Sequence, residues 1–167
     1  MNHELVKLKD VISKEIKAYQ DLLVLAKKKR EILVKNAVEA LEETVYQEEE
    51  LLSAVHRCEK ERTMAVEAVA TSLGLSTEGL TFQQIIDAMP EADQTSFALM
   101  RAELKDVIAQ LARANALNRM LLETHMSYIS FCVGALTDHT KGLDMYSASG
   151  KSYTEKTSGH IMLNHSV

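Results

Sequence analysis

The 167-residue sequence has no tryptophan, one proline, two cysteines, six glycines and only 5% aromatic residues. Each shortage excludes something. Helix breakers are so few that they mark boundaries: Gly74, Gly79 and Pro90 form one cluster, Gly142, Gly150 and Gly159 another, and Gly134 alone interrupts a helical pattern. Cys58 and Cys132 share no motif spacing, so no disulfide is expected, and both read as half-buried small hydrophobes in a reducing compartment. Basic residues are not in excess: 19 Lys and Arg against 24 Asp and Glu leave a net charge of −5, which argues against nucleic acid as the main partner. No apolar run reaches the roughly 18 residues of a membrane span. Glu4, Lys7, Lys9 and Asp10 interrupt the first leucines, so no signal peptide is readable, and a cytoplasmic protein without direct membrane insertion is expected.

Chemistry is equally scarce. Gly150, Lys151 and Ser152 end like a phosphate-binding loop, but Met145 stands where that loop needs glycine and no strand precedes it. His56 and Cys58 lie two apart on a helix and point about 200° away from each other, so they cannot chelate one ion. Ser53, Leu122 and Leu136 stand three residues before His56, His125 and His139, which rules out the Glu-x-x-His pairs of a di-iron bundle. His160 and His165 fall in a polar tail. No nucleophile has an orienting base. The expectation is a non-enzyme with no cofactor and no metal.

What the chain does have is helical periodicity, with 46% hydrophobic and 26% charged residues. The first helix is expected from His3 to Lys35, along Leu5, Leu8, Ile12, Ile16, Tyr19, Leu23, Ala26, Arg30 and Leu33; the two four-residue steps from Leu8 to Ile16 read as a stutter. Lys27, Lys28, Lys29 and Arg30 near its end complement the helix dipole. Asn36 is the candidate corner. A second helix, Ala37 to Leu73, carries Leu41, Val45, Leu52, Val55, Val66, Val69 and Leu73, and its length of about 55 Å favours an elongated hairpin. Residues 1–35 hold nine basic and five acidic side chains, residues 36–62 three and eight, so the two helices attract each other. Glu48, Glu49 and Glu50 read as a solvated face. Thr81 can cap a short helix from Phe82 to Met89, which Pro90 stops, and a third long helix runs to about Thr137. From Lys141 the composition turns to Gly, Ser, Thr and Lys, with Met145 and Tyr146, and later Ile161 to Leu163, as apolar islands.

The fold expected is therefore all-α: an elongated antiparallel bundle or coiled coil of three long helices plus one short helix, forming residues 1–140, with a flexible tail over 141–167. One stretch stands out. A seam runs through Phe97, Met100, Leu104, Val107, Leu111, Ala114, Asn118, Leu121, His125, Tyr128 and Cys132. Beside it Leu117, Met120, Leu122, Met126, Ile129, Phe131 and Val133 spread apolar groups round most of the helix. One packed partner cannot cover all of these. Two readings explain them: a binding protein that shields a partner's amphipathic helices, or a structural coiled-coil spacer or self-associating subunit without cargo. Asn118 and His125 occupy seam positions where leucine would pack better, as a register-setting pair would.

Three local signatures bring a family into view: Glu49-Glu50-Leu51-Leu52 followed by Arg62, then Asn115-x-x-Asn118-x-x-Leu121-Leu122, then Tyr146-x-x-x-Gly150 opening a polar tail. In these, and in length and helix order, the chain resembles the FlgN family of flagellar export chaperones. The resemblance implies a cytosolic chaperone of type III flagellar secretion that binds hook-filament junction (hook-associated) proteins, prevents their premature association and delivers them to the export apparatus. It implies cargo contact by the C-terminal helix, at Asn115, Leu117, Asn118, Leu121, Leu122, His125, Met126 and Ile129, and docking to the export gate near Tyr146 and Gly150. Self-association of the free chain is compatible with it.

Overall fold

The computed structural model describes residues 2–76 and 79–143, with side chains as far as Thr137. Within these, the elements are α1 (Asn2–Val34), α2 (Val38–Ser72), α3 (Phe82–Ala88) and α4 (Glu91–Leu143), and no strand occurs. The chain divides into two compact units, Met1–Thr124 and His125–Val167.

The helix ends fall where the local chemistry puts them. Asn36 adopts φ 52°, its N–H reaching Leu33 O while Ala37 N–H reaches Ile32 O, so an asparagine occupies the left-handed position that closes α1. Gly74, at φ 70°, closes α2 by the same pair of bonds, Gly74 N–H to Thr71 O and Leu75 N–H to Ala70 O. Thr81 caps α3 through a reciprocal box: its Oγ1 accepts from Gln84 N–H, and Gln84 Oε1 accepts from Thr81 N–H at 2.8 Å. α4 opens directly after Pro90, with Glu91 and Asp93 in its first turn. It continues to Leu143, past the expected end near Thr137.

In the first unit α1 and α2 form an antiparallel hairpin whose cross-pairs are Glu15 with Arg62, Tyr19 with Glu59 and Lys29 with Glu48. The observed seam corrects the sequence reading. In α1 an unbroken three-four alternation runs through Leu5, Leu8, Ile12, Glu15, Tyr19, Leu22, Ala26, Lys29 and Leu33, all buried or half-buried. The stutter inferred at Ile16 came from passing over Glu15, an acid that is 1% exposed. Arg30 is exposed, and Lys29 takes the seam position expected of it. In α2 the line passes through Leu41, Thr44, Glu48, Leu51, Val55, Cys58, Arg62, Ala65 and Val69, leaving Val45 and Leu52 outside. Glu48 therefore does not belong to a solvated face; it pairs with Lys29 at 2.6 Å, both side chains largely covered, while Glu49 and Glu50 are exposed.

Two apolar clusters hold this unit. The larger joins Leu5, Leu8, Ile12 and Ile16 of α1 to Ala65 and Val69 of α2, Ile85, Ile86 and Met89 around α3, and Phe97 of α4. The smaller joins Ala18 and Leu22 to Val55, with Leu51 and Leu111 packed against them. α4 runs beside α1 in the same direction: Phe97 joins the cluster of Leu5, Leu8, Ile12 and Ile16, Gln20 donates to Glu103 Oε1 at 3.3 Å, and Asn118 reaches Ala26.

Candidate docking surface

Polar groups inside the hairpin are structural. Glu15 and Arg62 form an ion pair at 2.8 Å, and Tyr19 donates to Glu59 Oε1 at 2.8 Å. Burial raises the Glu15 carboxyl above its usual range and outweighs the Arg62 charge that opposes it; burial and the Glu59 bond likewise raise Tyr19. The Cys58 thiol is pushed up first by burial and then by nearby acids, the opposite of a reactive thiolate. Both cysteines are half-buried, as small hydrophobes should be. Among the described residues no group of three His, Cys, Asp or Glu could hold a metal, and no helix is long and apolar enough to cross a membrane.

The residues singled out in α4 divide by exposure. Within the first unit Asn115, Leu117 and Met120 face outward, and Leu121 and Leu122 are half-buried. Asn118 departs from the expected partner-facing set. It is 4% exposed, and its Nδ2 donates to Ala26 O of α1 at 2.8 Å, while Oδ1 is buried without a hydrogen bond. A buried asparagine held this way positions α4; it is not a contact offered to a partner.

The second unit presents the apolar surface. His125 and Cys132 are half-buried, but Met126 is 67% exposed, Ile129 60% and Phe131 73%, with Tyr128, Val133 and Leu136 also exposed. Met126, Ile129, Val133 and Leu136 follow the three-four alternation and form one stripe; Tyr128 and Phe131 sit about 200° round the helix. From Thr124 to Thr137 there is no Asp, Glu, Lys or Arg. The last charges before it, Arg119 and Glu123, pair with each other at 2.8 Å. Large apolar groups on both sides of an uncharged helix segment make it the candidate docking surface. Tyr128, Phe131 and Leu136 belong to it on exposure, although the residue motifs did not nominate them; the uncharged run was the signal that could have. Tyr146 and Gly150 lie outside the described residues.

The family model described as FlgN protein matches residues 1–154. The chain belongs to the FlgN family. FlgN proteins are flagellar export chaperones, not enzymes, and act by binding flagellar proteins. Comparison with curated proteins and with solved structures gives no match. The chaperone role of FlgN proteins suits a helical scaffold that leaves one helix segment uncovered.

Proposed function

We propose that this chain is the cytoplasmic chaperone of hook-filament junction proteins, the hook-associated proteins, holding them through α4 and delivering them to the flagellar export gate. The observation that carries the reading is the exposure of Met126, Tyr128, Ile129, Phe131, Val133 and Leu136 on an uncharged segment. Asn115, Leu117, Leu121, Leu122 and His125 are further proposed contacts, and Asn118 keeps α4 in register with α1. A cargo whose terminal segments are unfolded before assembly exposes helix-forming apolar stripes; laying them on this surface hides them from each other. Full burial of one large apolar side chain is worth about 1.5–3 kcal/mol, so five bring roughly 10 kcal/mol. Ordering the cargo takes back about 2–5 kcal/mol, which leaves reversible binding of about micromolar strength. Methionine supplies adaptable packing for related cargoes. Tyr146 and Gly150 are assigned to gate docking.

Light scattering of the free chain and of its mixture with a hook-filament junction protein tests this. A 1:1 complex supports the chaperone; a rod-like oligomer inert to the cargo supports a structural spacer. Truncation after Lys141 should keep cargo binding and lower export, and Tyr146→Ala should reproduce part of that loss in an export assay. Export at the full-length level in both variants would remove the tail from the account.

A further inference from the structure

The outer face of α2 carries an apolar line that the hairpin does not use. Val38 (70% exposed), Val45 (39%) and Leu52 (43%) recur every two turns. Glu42 and Glu49 fall between them on the same side, completing a line about 21 Å long. Tyr46, 63% exposed, stands beside it with Glu39, Glu43 and Glu50, all exposed. The stretch from Asn36 to His56 contains no Lys or Arg. Among the described residues none of Glu39, Glu42, Glu49 and Glu50 has an ion-pair partner, whereas Glu48 on the seam side is taken by Lys29. A helix face kept only for solvent gains nothing from three large apolar groups at heptad spacing with a tyrosine beside them, and its valines lower helix propensity.

We propose that this face of α2 docks a basic amphipathic helix of another protein, whose apolar side chains cover Val38, Val45, Tyr46 and Leu52 while its lysines or arginines pair with Glu42 and Glu49. Charge decides the class of occupant: an acidic or neutral helix would leave the carboxylates unpaired beside a desolvated apolar line. A second copy of this chain offers a poorer match: where its exposed basic residues lie beside exposed large apolar groups, as Arg57 and Lys60 do with Met64 on α2 or Arg113 with Leu117 and Met120 on α4, one or two such groups would face a line of three. The inference is independent of the cargo surface on α4.

The probe is a pair of synthetic helical peptides with the same leucine heptads, one flanked by lysines and one by glutamates, titrated against the full chain by fluorescence anisotropy. The lysine peptide should bind at least ~10-fold more tightly than the glutamate peptide, whose residual binding is to the uncharged α4 segment. Glu42→Lys with Glu49→Lys, and separately Tyr46→Ser, should each weaken the lysine peptide at least ~10-fold with helicity and melting retained. Ile129→Asp, altered on α4, should bind it like the native chain. Wild-type affinity in both α2 variants, or loss of the peptide in Ile129→Asp, overturns the proposal. So does a double charge reversal that changes self-association in sedimentation velocity while leaving peptide affinity intact, since that result assigns the face to a second copy.

Discussion

Replacing Asn118 by leucine should stabilise the first unit. The side chain is 4% exposed, with Nδ2 donating to Ala26 O at 2.8 Å and Oδ1 buried without a hydrogen bond. Removing the orphaned oxygen relieves a desolvation cost of about 1–3 kcal/mol, and losing the single donated bond forfeits about 0.5–1.5 kcal/mol. Ala26 lies in the interior of α1, where its carbonyl also serves the helix ladder. Leucine shares asparagine's branched outline but is larger; it adds apolar burial, discounted for the tighter fit, so the net gain should be about 2 kcal/mol. Urea unfolding followed by circular dichroism reads it as a higher midpoint at unchanged slope. Asn118→Asp is the counter-test: it buries a carboxylate where Asn118 Oδ1 finds no hydrogen-bond donor and should cost about 3 kcal/mol or more. A leucine variant less stable than the native chain would refute the reasoning, because the bond to Ala26 would then outweigh both the relief of the orphaned oxygen and the added burial. Under the proposed register role, Asn118→Leu should also increase self-association and weaken cargo binding.

Ile129→Asp should leave helicity and melting unchanged while weakening cargo binding at least ~10-fold, since the aspartate loses apolar contact and must be desolvated on association. The half-buried Leu122 should behave differently, with Leu122→Asp lowering the melting temperature as well. Thr81→Ala removes the acceptor of the α3 capping box and should cost about 1 kcal/mol in chemical denaturation; an unchanged midpoint would mean that burial of Ile85 and Ile86 alone fixes α3. Glu15 supplies a pH test. Its carboxyl is raised above the ordinary 4.5 by burial, so the folded chain binds that proton more readily than the unfolded chain. Its burial therefore costs stability in full above the raised value, and the cost is relieved as pH falls through it toward 4.5. The stability of Glu15→Gln relative to the native chain should be greater at pH 8 than at pH 5; a difference that does not change with pH would contradict the raised value.

The sequence made the helix ends legible because their chemistry is local. Asn36, Gly74, Thr81 and Pro90 act on the residues beside them, and the structure uses each as expected. The α4 seam was legible as far as Asn118 because apolar residues fill nearly every position of it. The hairpin seam was harder. Glu15, Lys29, Glu48 and Arg62 occupy core positions only because each meets an opposite charge on the other helix, and a one-dimensional pattern assigns charged residues to solvent by default. Val45 and Leu52 failed in the opposite sense: they are apolar, keep helical spacing, and face outward. Burial of Asn118 was likewise invisible, since the same asparagine at the edge of the stripe would leave an identical pattern. In the docking segment, the spread of Met126, Ile129, Phe131 and Val133 round most of the helix was legible as a pattern too wide for one packed partner; that Tyr128, placed on the seam, is itself exposed and that Leu136 joins the stripe needed the burial of each side chain to be known.

Hydrogen exchange of the full chain, alone and with a hook-filament junction protein, tests the central claim most directly. Peptides covering residues 120–137 should exchange more slowly in the complex, because docking on Met126, Ile129 and Phe131 suppresses opening of that helix segment, while peptides of the α1–α2 seam should be unaffected. A complex that forms with residues 120–137 exchanging as in the free chain would contradict the account.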